Sequence, residues 1–538
     1  VSATIDLLLL GAEDVTDWPC GTVVPVPQWS PGPLAAAVAA HLRDHRPDAL
    51  LFWDHRLGPP ADVAALLDQP DDLWHAGLAL GTGGRPAAID LVAPTWMLNA
   101  DPPTDRPATS WRLALNACLV RRSVLEDLGG VDPTFASTTA AGLELGHRWI
   151  TGGAACRHEP SLLGAAADRP SLEPIDAADA QRFVARRFGS SWATYVTLRS
   201  RHRVRGLARL RGILAEPTPA SGTMARARPG PAPADLAVSV VIPTIDRYPW
   251  LATVLAHLAV QTMAPHEVLV VDQTPRERRE DLADGLPPDL PLRVLVSDVA
   301  GQCTARNLAL AAATGDVILF LDDDDELPTD LIERHVARLA QTRADANCGV
   351  ALEPGESELD ASFRRLRTSD VFPTNNSLLR RAALRDSGLF DLAYDRGERA
   401  DHDLGTRLYL AGHRLVLDPE AEVVHHHAPR GGLRSHAARV STYRASRNSM
   451  TARQRLAPTE IYLWRRYFRP DQVAEATRLR LLGTFSRRGG VLARALRVAT
   501  QLILLRDTRA QHGAAAEAAD ELALRHPTIP SLDDVSAP

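Results

Sequence analysis

The hydrophobic positions of this chain fall into two alternating patterns. Short continuous apolar runs bounded by turn residues, “VSVVIPT”, “EVLVVDQT” and “DVILFLDDDD”, predict strands buried on both faces. Between them, “WLATVLAHLAVQT” and “GQCTARNLALAAATG” carry helical spacing. Strands alternating with helices predict a parallel, doubly wound α/β sheet, with ligands bound beyond the carboxyl ends of its strands. Asp272 and the run Asp322 to Asp325 sit at such ends.

The pattern also repeats. Residues 116–160 align without gaps on residues 375–419, with 14 identities in 45 positions. Upstream, “PDALLFWDHRLGPP” parallels “GDVILFLDDDDELP”. A duplicated domain is expected. The segment “EPTPASGTMARARPGPAPADLA” has no apolar periodicity and divides the copies. The expected organisation is a first domain over 1–215, a Pro/Gly/Ala-rich linker over 216–237, a second domain over 238–440 and a helical region over 441–538.

Composition narrows the function. At 538 residues, with 45% hydrophobic and 23% charged, the chain can bury two or three ordinary cores. Its net charge of −6 argues against a nucleic-acid partner. All 60 Lys+Arg residues are arginine, which excludes P-loop and pyridoxal chemistry, since both need a lysine. Five scattered cysteines suit a reducing compartment. No secretory signal precedes “IDLLLL”, and no window reaches about 18 uninterrupted apolar residues. The expected location is the cytoplasm.

The acidic run “LDDDDELP” carries the chemistry. Asp322 and Asp324, at alternate positions just past a strand, can point the same way and share a hard divalent ion, Mg²⁺ or Mn²⁺. Such ions also bind phosphate oxygens, so a metal–diphosphate site is expected. On the run alone, a solvated acidic turn capping the next helix stays open. The glycine and spaced ligands of an EF-hand loop are absent.

“VSVVIPTIDR”, “EVLVVDQT”, “GQCTARNLALAAATGDVILFLDDDDELP” and “RADHDLGTRLYLAGHRLVLDPEAEVVHH” follow one another in an order that resembles family 2 glycosyltransferases of the GT-A, Rossmann-like fold. The resemblance covers about residues 238–448. It implies a metal-dependent enzyme that moves a sugar, with inversion, from a UDP-linked donor to an acceptor hydroxyl on a glycan, a lipid-linked carrier or a small molecule. It assigns Thr244, Asp272, Arg306, Asp322 and Asp323 to the nucleotide sugar, and Asp324 to the metal. “DQTP” replaces the usual acidic-Gly-Ser pattern after the second strand. Inverting transfer needs a carboxylate to take the acceptor proton. The resemblance places it at Asp401, with Asp403 and Glu398 as alternatives, although Ala400 stands where a glutamate is usual. His425 is expected on the metal or the diphosphate; Arg430 and “YRASRN” (443–448) offer clamps for phosphate oxygens, with a solvated helix the commoner reading of Arg444 and Arg447. Acceptor choice is expected in the region 353–371.

In the first copy Asp54-His55-Arg56 stands opposite Asp322-Asp323-Asp324, Gly142 opposite Asp401 and Glu144 opposite Asp403. An arginine at the metal position repels a cation, so this copy is expected to be a degenerate GT-A-like domain serving packing, acceptor binding or dimerisation. The arginine-rich helices near the end of the chain are expected either to lie on the anionic inner face of a membrane or to pack with their arginines solvated. Two other readings compete: a sugar-nucleotide or glycan-binding protein without turnover, and a metal-dependent nucleotidyltransferase. The latter lacks the expected glycine-rich basic loop, since “VIPTIDRYPW” follows the first strand.

Overall fold

The computed structural model of the chain describes residues 3–12, 18–83, 85–164, 169–200, 203–218, 222–225, 235–280, 289–356, 358–428, 455–485 and 490–533. Two sheets organise it. The first contains β1 (Ile5–Leu10), β2 (Val23–Val26), β3 (Ala49–Asp54), β4 (Leu73–His75), β5 (Ala108–Thr109), β6 (Ala117–Arg121) and β7 (Cys156–His158), in the order β2-β1-β3-β6-β4-β7-β5. The second contains β8 (Val238–Thr244), β9 (Glu267–Asp272), β10 (Leu292–Val296), β11 (Val317–Leu321), β12 (Asp325–Glu326), β13 (Ala346–Leu352), β14 (Arg367–Thr368), β15 (Asn376–Arg380) and β16 (Leu415–His425). Its order is β10-β9-β8-β11-β15-β13-β16-β12, with β14 beside β16.

The apolar runs fold as their composition dictates. Val240, Val241, Ile242, Leu319 and Phe320 are fully buried, because helices cover both faces of the strands that carry them. The expected all-parallel sheet holds only for β10-β9-β8-β11. β11 and β13 run in the same sense, joined by the helix Leu331–Thr342, and β15 inserts antiparallel between them. The sheet is therefore mixed.

The two sheets share one connectivity. The path β2-β1-β3-β6-β4-β7 repeats as β9-β8-β11-β15-β13-β16, with the same sense at every pairing. Registers coincide as well. Leu73 faces Val120 and Cys156, as Ala346 faces Leu379 and Leu415. Local hydrogen bonds repeat too: Ala155 N donates to Asp72 Oδ2 and Arg414 N to Asp345 Oδ2, both at 2.8 Å.

Among the described residues beyond the second sheet are four helices, Pro458–Tyr467, Pro470–Gly483, Val491–Ile503 and Leu505–Arg525, in the expected helical region. Among the described residues no helix is long and apolar enough to cross a membrane.

Candidate active site

β8, β9 and β11 run parallel and end side by side, at Thr244, Asp272 and Leu321. The acidic run therefore emerges at the carboxyl edge of the sheet, where α/β folds place ligands. β12 then turns back and pairs antiparallel with the end of β16, setting Asp325 opposite His425. This short ladder joins positions a hundred residues apart. As a result Asp322, Asp324 and His425 offer ligand atoms that all lie within 4.8 Å of one another.

The carboxylates have separate partners. Asp322 Oδ1 accepts from Arg306 Nη2 at 3.0 Å, and Arg306 is buried over the Phe390 ring. Asp323 accepts from the Thr244 hydroxyl at 2.7 Å and from Arg247 Nη1 at 2.8 Å. Asp324 Oδ2 accepts from Ala428 N at 2.6 Å and Arg247 Nη1 at 3.3 Å. Its Oδ1 is buried without a hydrogen-bond partner and lies 3.5 Å from His425 Nδ1. Asp325 meets His425 Nδ1 at 2.8 Å and accepts from Asp322 N at 2.8 Å.

Buried like charges are tolerable only when compensated. Burial pushes the Asp323 carboxyl up to about 6 even with Arg247 beside it. Burial likewise raises the Asp325 carboxyl against the hydrogen bond from His425. Burial would push the His425 imidazole down, but the hydrogen bond to Asp325 and the charges of Asp322 and Asp324 raise it. The cluster thus gathers protons and cations. The orphaned Asp324 Oδ1, a second carboxylate and an imidazole oriented by Asp325 form a donor set that suits a divalent ion.

A cleft of ≈ 470 Å³ opens here, lined among others by Gln302, Asp322, Asn375, Asp401, His425 and His427. Gln302 begins the helix Gln302–Ala312, whose start is fixed by Asp395. That carboxylate accepts from Cys303 N and Thr304 N, each at 2.8 Å. It presses against Gly301 so closely that a Cβ there would overlap it. Asp401 lies in the first turn of the helix Ala400–Leu410. Its Oδ1 is 3.0 Å from His402 Nδ1. Burial would raise the Asp401 carboxyl, but the adjacent His402 and the Arg399 guanidinium hold it below the usual carboxylate range.

Asp403, two residues on, faces the other way. It is fully buried, paired to Arg407 at 2.8 Å and hydrogen-bonded by the Tyr467 hydroxyl at 2.7 Å. Arg407 also donates to Ser387 O. The first copy has the same arrangement: Glu144 holds Arg148 at 3.0 Å, and Arg148 donates to Leu128 O. A pair retained where no carboxylate cluster exists is a structural pair. Asp272 is also buried, with Oδ2 taking the Tyr248 hydroxyl and Oδ1 taking Thr274 N, both at 2.8 Å. Neither Asp403 nor Asp272 lines the cleft. Arg430 and residues 443–448 lie outside the described residues.

Sequence reasoning missed Arg247, which grips Asp323 and Asp324 together. Its only signal was a basic residue in the turn after β8. At the matching edge of the first sheet, Asp54 is fully buried and clamped by Arg56 Nη2 at 2.8 Å and by Asn116 Nδ2 at 2.9 Å. In the repeat Arg56 stands opposite Asp324. By sheet register Gly11 matches Thr244 and Pro27 follows β2 where Asp272 ends β9.

Residues 239–390 match the model of a family described as glycosyl transferase family 2. The succinoglycan biosynthesis protein ExoM of Rhizobium meliloti (strain 1021) is 29% identical over 198 residues, 33% of this chain and 63% of that protein. The uncharacterized glycosyltransferase YwdF of Bacillus subtilis (strain 168) is 28% identical over 168 residues, 29% of this chain and 62% of its own. A pre-mycofactocin glycosyltransferase of Mycobacterium tuberculosis is 30% identical over 248 residues, 43% of this chain and 51% of its own. The chain thus spans under two thirds of the length of these relatives. Among solved structures, the mannosyltransferase PcManGT from Pyrobaculum calidifontis, in complex with GDP-Man and Mn²⁺, is 20% identical. It covers 55% of this chain and 90% of its own, at a TM-score of 0.34.

Proposed function

From the match of residues 239–390 to glycosyl transferase family 2 we propose that the chain transfers a sugar from a UDP-linked donor to an acceptor hydroxyl, with inversion. The observation that carries this reading is that Asp322 and His425 of the metal-competent cluster and Asp401 of a separate helix line one cleft. Asp322, Asp324 and His425 would hold Mn²⁺ or Mg²⁺, which when bound neutralises charge on the departing diphosphate. Arg306 holds Asp322 in place, while Arg247 and Thr244 hold Asp323, so the cluster keeps its shape through the reaction. Asp401, ionised in this environment, takes the acceptor proton as the hydroxyl attacks. His402 orients that carboxylate, and the pair Asp403–Arg407 holds the helix that presents it. Asp272 reaches a nucleobase when the Tyr248 hydroxyl gives way to it. The first domain, with Arg56 on Asp54 and Gly142 opposite Asp401, is a degenerate copy that serves packing.

The test is UDP release from a panel of UDP-sugars with Mn²⁺, with Mg²⁺ and with chelator, alongside thermal stabilisation by each donor. Asp324→Asn should abolish metal-dependent release. Asp401→Asn should lower kcat by ~10²–10⁴-fold while donor-induced stabilisation persists. Asp54→Asn should leave both unchanged. Donor binding with no turnover by the wild type would make this a binding protein. Equal loss from Asp54→Asn and Asp324→Asn would overturn the assignment of the site to the second domain.

A further inference from the structure

The helix Val491–Ile503 is mounted the wrong way round for a surface helix. A helix on a soluble domain turns its apolar stripe to the core and its polar face to water. Here Gln501 and Arg497 are buried against the protein, and the next helix likewise buries Thr508 and His512. The apolar side chains point outward: Val491 is 84% exposed, Leu492 75%, Leu496 50%, Leu502 57% and Ile503 82%. These residues fall within one face of the helical wheel, so they form a continuous stripe and not scattered single exposures. Of the two expectations for this region, packing by the apolar face does not hold for this helix, although Arg494 is exposed as expected.

Charge identifies what the stripe faces. Residues 476–510 contain eight arginines and one acidic residue, Asp507, in a chain whose net charge is −6. Arg494 on the same helix, and Arg478, Arg506 and Arg509 on the helices before and after it, are exposed. A second copy of the chain would oppose arginines to arginines, and such a like-charged contact is disfavoured. A surface of anionic headgroups over acyl chains satisfies both features at once. The apolar side chains enter the acyl boundary, and the arginines stay with the phosphates. At 13 residues the helix is too short to span a bilayer and suits lying in its plane.

We propose that the helix Val491–Ile503 is an in-plane membrane anchor that docks the chain on an anionic lipid surface. The proposal is independent of the sugar-transfer reading, because binding is measured without turnover. The full chain is floated with vesicles of phosphatidylcholine alone and with vesicles containing about one third phosphatidylglycerol, at low and high salt. The wild type should float with the anionic vesicles at least tenfold more than with the neutral ones, and salt should weaken this. The triple variant Leu492→Ser, Leu496→Ser, Ile503→Ser changes only exposed side chains. It should keep its thermal midpoint and lose flotation about tenfold. Equal flotation of wild type and variant would overturn the proposal. So would a wild-type dimer that the variant converts to a monomer, which would make the stripe a contact between copies. Amide exchange across 491–503 that is equally slow with and without vesicles would show that another segment of the chain covers the stripe, and would also overturn it.

Discussion

Adjacent carboxylates survive in this fold because each faces a cationic or imidazole counterpart, one of them shared. Asp322 is answered by Arg306, Asp323 and Asp324 by Arg247, Asp325 by His425 and Glu326 by His426. The same logic, away from the cleft, makes Glu267 a measurable anchor. Burial pushes its carboxyl up, but hydrogen bonds from Thr314 N, the Ser239 and Thr314 hydroxyls and Arg293 outweigh burial and hold it at about 2. A folded-state pKa below the unfolded one adds stability that is complete above the unfolded pKa and disappears as pH falls through the folded pKa. Glu267→Gln should therefore cost about 2–3 kcal/mol at pH 7, with the deficit shrinking between pH 5 and pH 3. Urea unfolding of both proteins across that range measures it; a deficit independent of pH would refute the ionic account. At this scale the sequence revealed the carboxylates and His425 because each ends a strand-like run. It hid Arg247, whose partners lie 76 and 77 residues away. It put Asp401 ahead of Asp403 only by resemblance; what separates the two physically is the burial of Asp403 against Arg407 and Tyr467.

Elements decide how those side chains are aimed. The helix Ala400–Leu410 starts from Arg399, a non-glycine residue in the left-handed region at φ 81°. That conformation costs roughly 1–3 kcal/mol and persists only where the surroundings enforce it. Here the enforcement comes from the helix Pro458–Tyr467: buried Glu460 accepts from Arg399 Nη2 at 2.7 Å, and Arg399 Nη1 sits 3.2 Å from His402 Nε2. A line of contacts therefore runs from Glu460 through Arg399 and His402 to Asp401. Arg399→Gly relieves the backbone and removes the line. It should leave the thermal midpoint within a few degrees of wild type while lowering kcat about tenfold or more at unchanged KM for the donor. A matching loss of stability and activity would reduce Arg399 to a structural role. None of this was legible beforehand. Sequence patterning marks that a helix follows Arg399, but not that the residue before it is strained, nor that a helix sixty residues on holds it.

At the scale of the molecule the two domains meet as matching surfaces. Gly153, at φ 107°, places a would-be Cβ 2.9 Å from Leu366 O. Gly412, at φ 92°, places one 2.6 Å from Pro107 O. Gly153 corresponds to Gly412 in the repeat alignment, and Pro107 to Leu366 by the register of β5 on β7 and of β14 on β16, so each glycine of one domain approaches the equivalent backbone of the other. That reciprocity is the signature of a two-fold contact between like subunits, here built into one chain. Asp71 and Arg414, 2.6 Å apart, and Trp96 Nε1 with Asp370, also 2.6 Å apart, reinforce the same seam. On the side of the first sheet the pair Glu144–Arg148 and the Asp72 cap match Asp403–Arg407 and the Asp345 cap, while Arg56 and Gly142 stand opposite Asp324 and Asp401. The seam therefore predicts coupled unfolding. Gly153→Ala and Gly412→Ala each add strain at positive φ and press a methyl against the opposite backbone, at a cost of roughly 2–4 kcal/mol. Wild-type denaturation should be a single transition. Either substitution should split it, with the domains melting separately, because each weakens the contact that makes them unfold together. A single transition that merely shifts to lower denaturant would show that the domains share more than this seam, and would overturn the two-fold contact as what couples them.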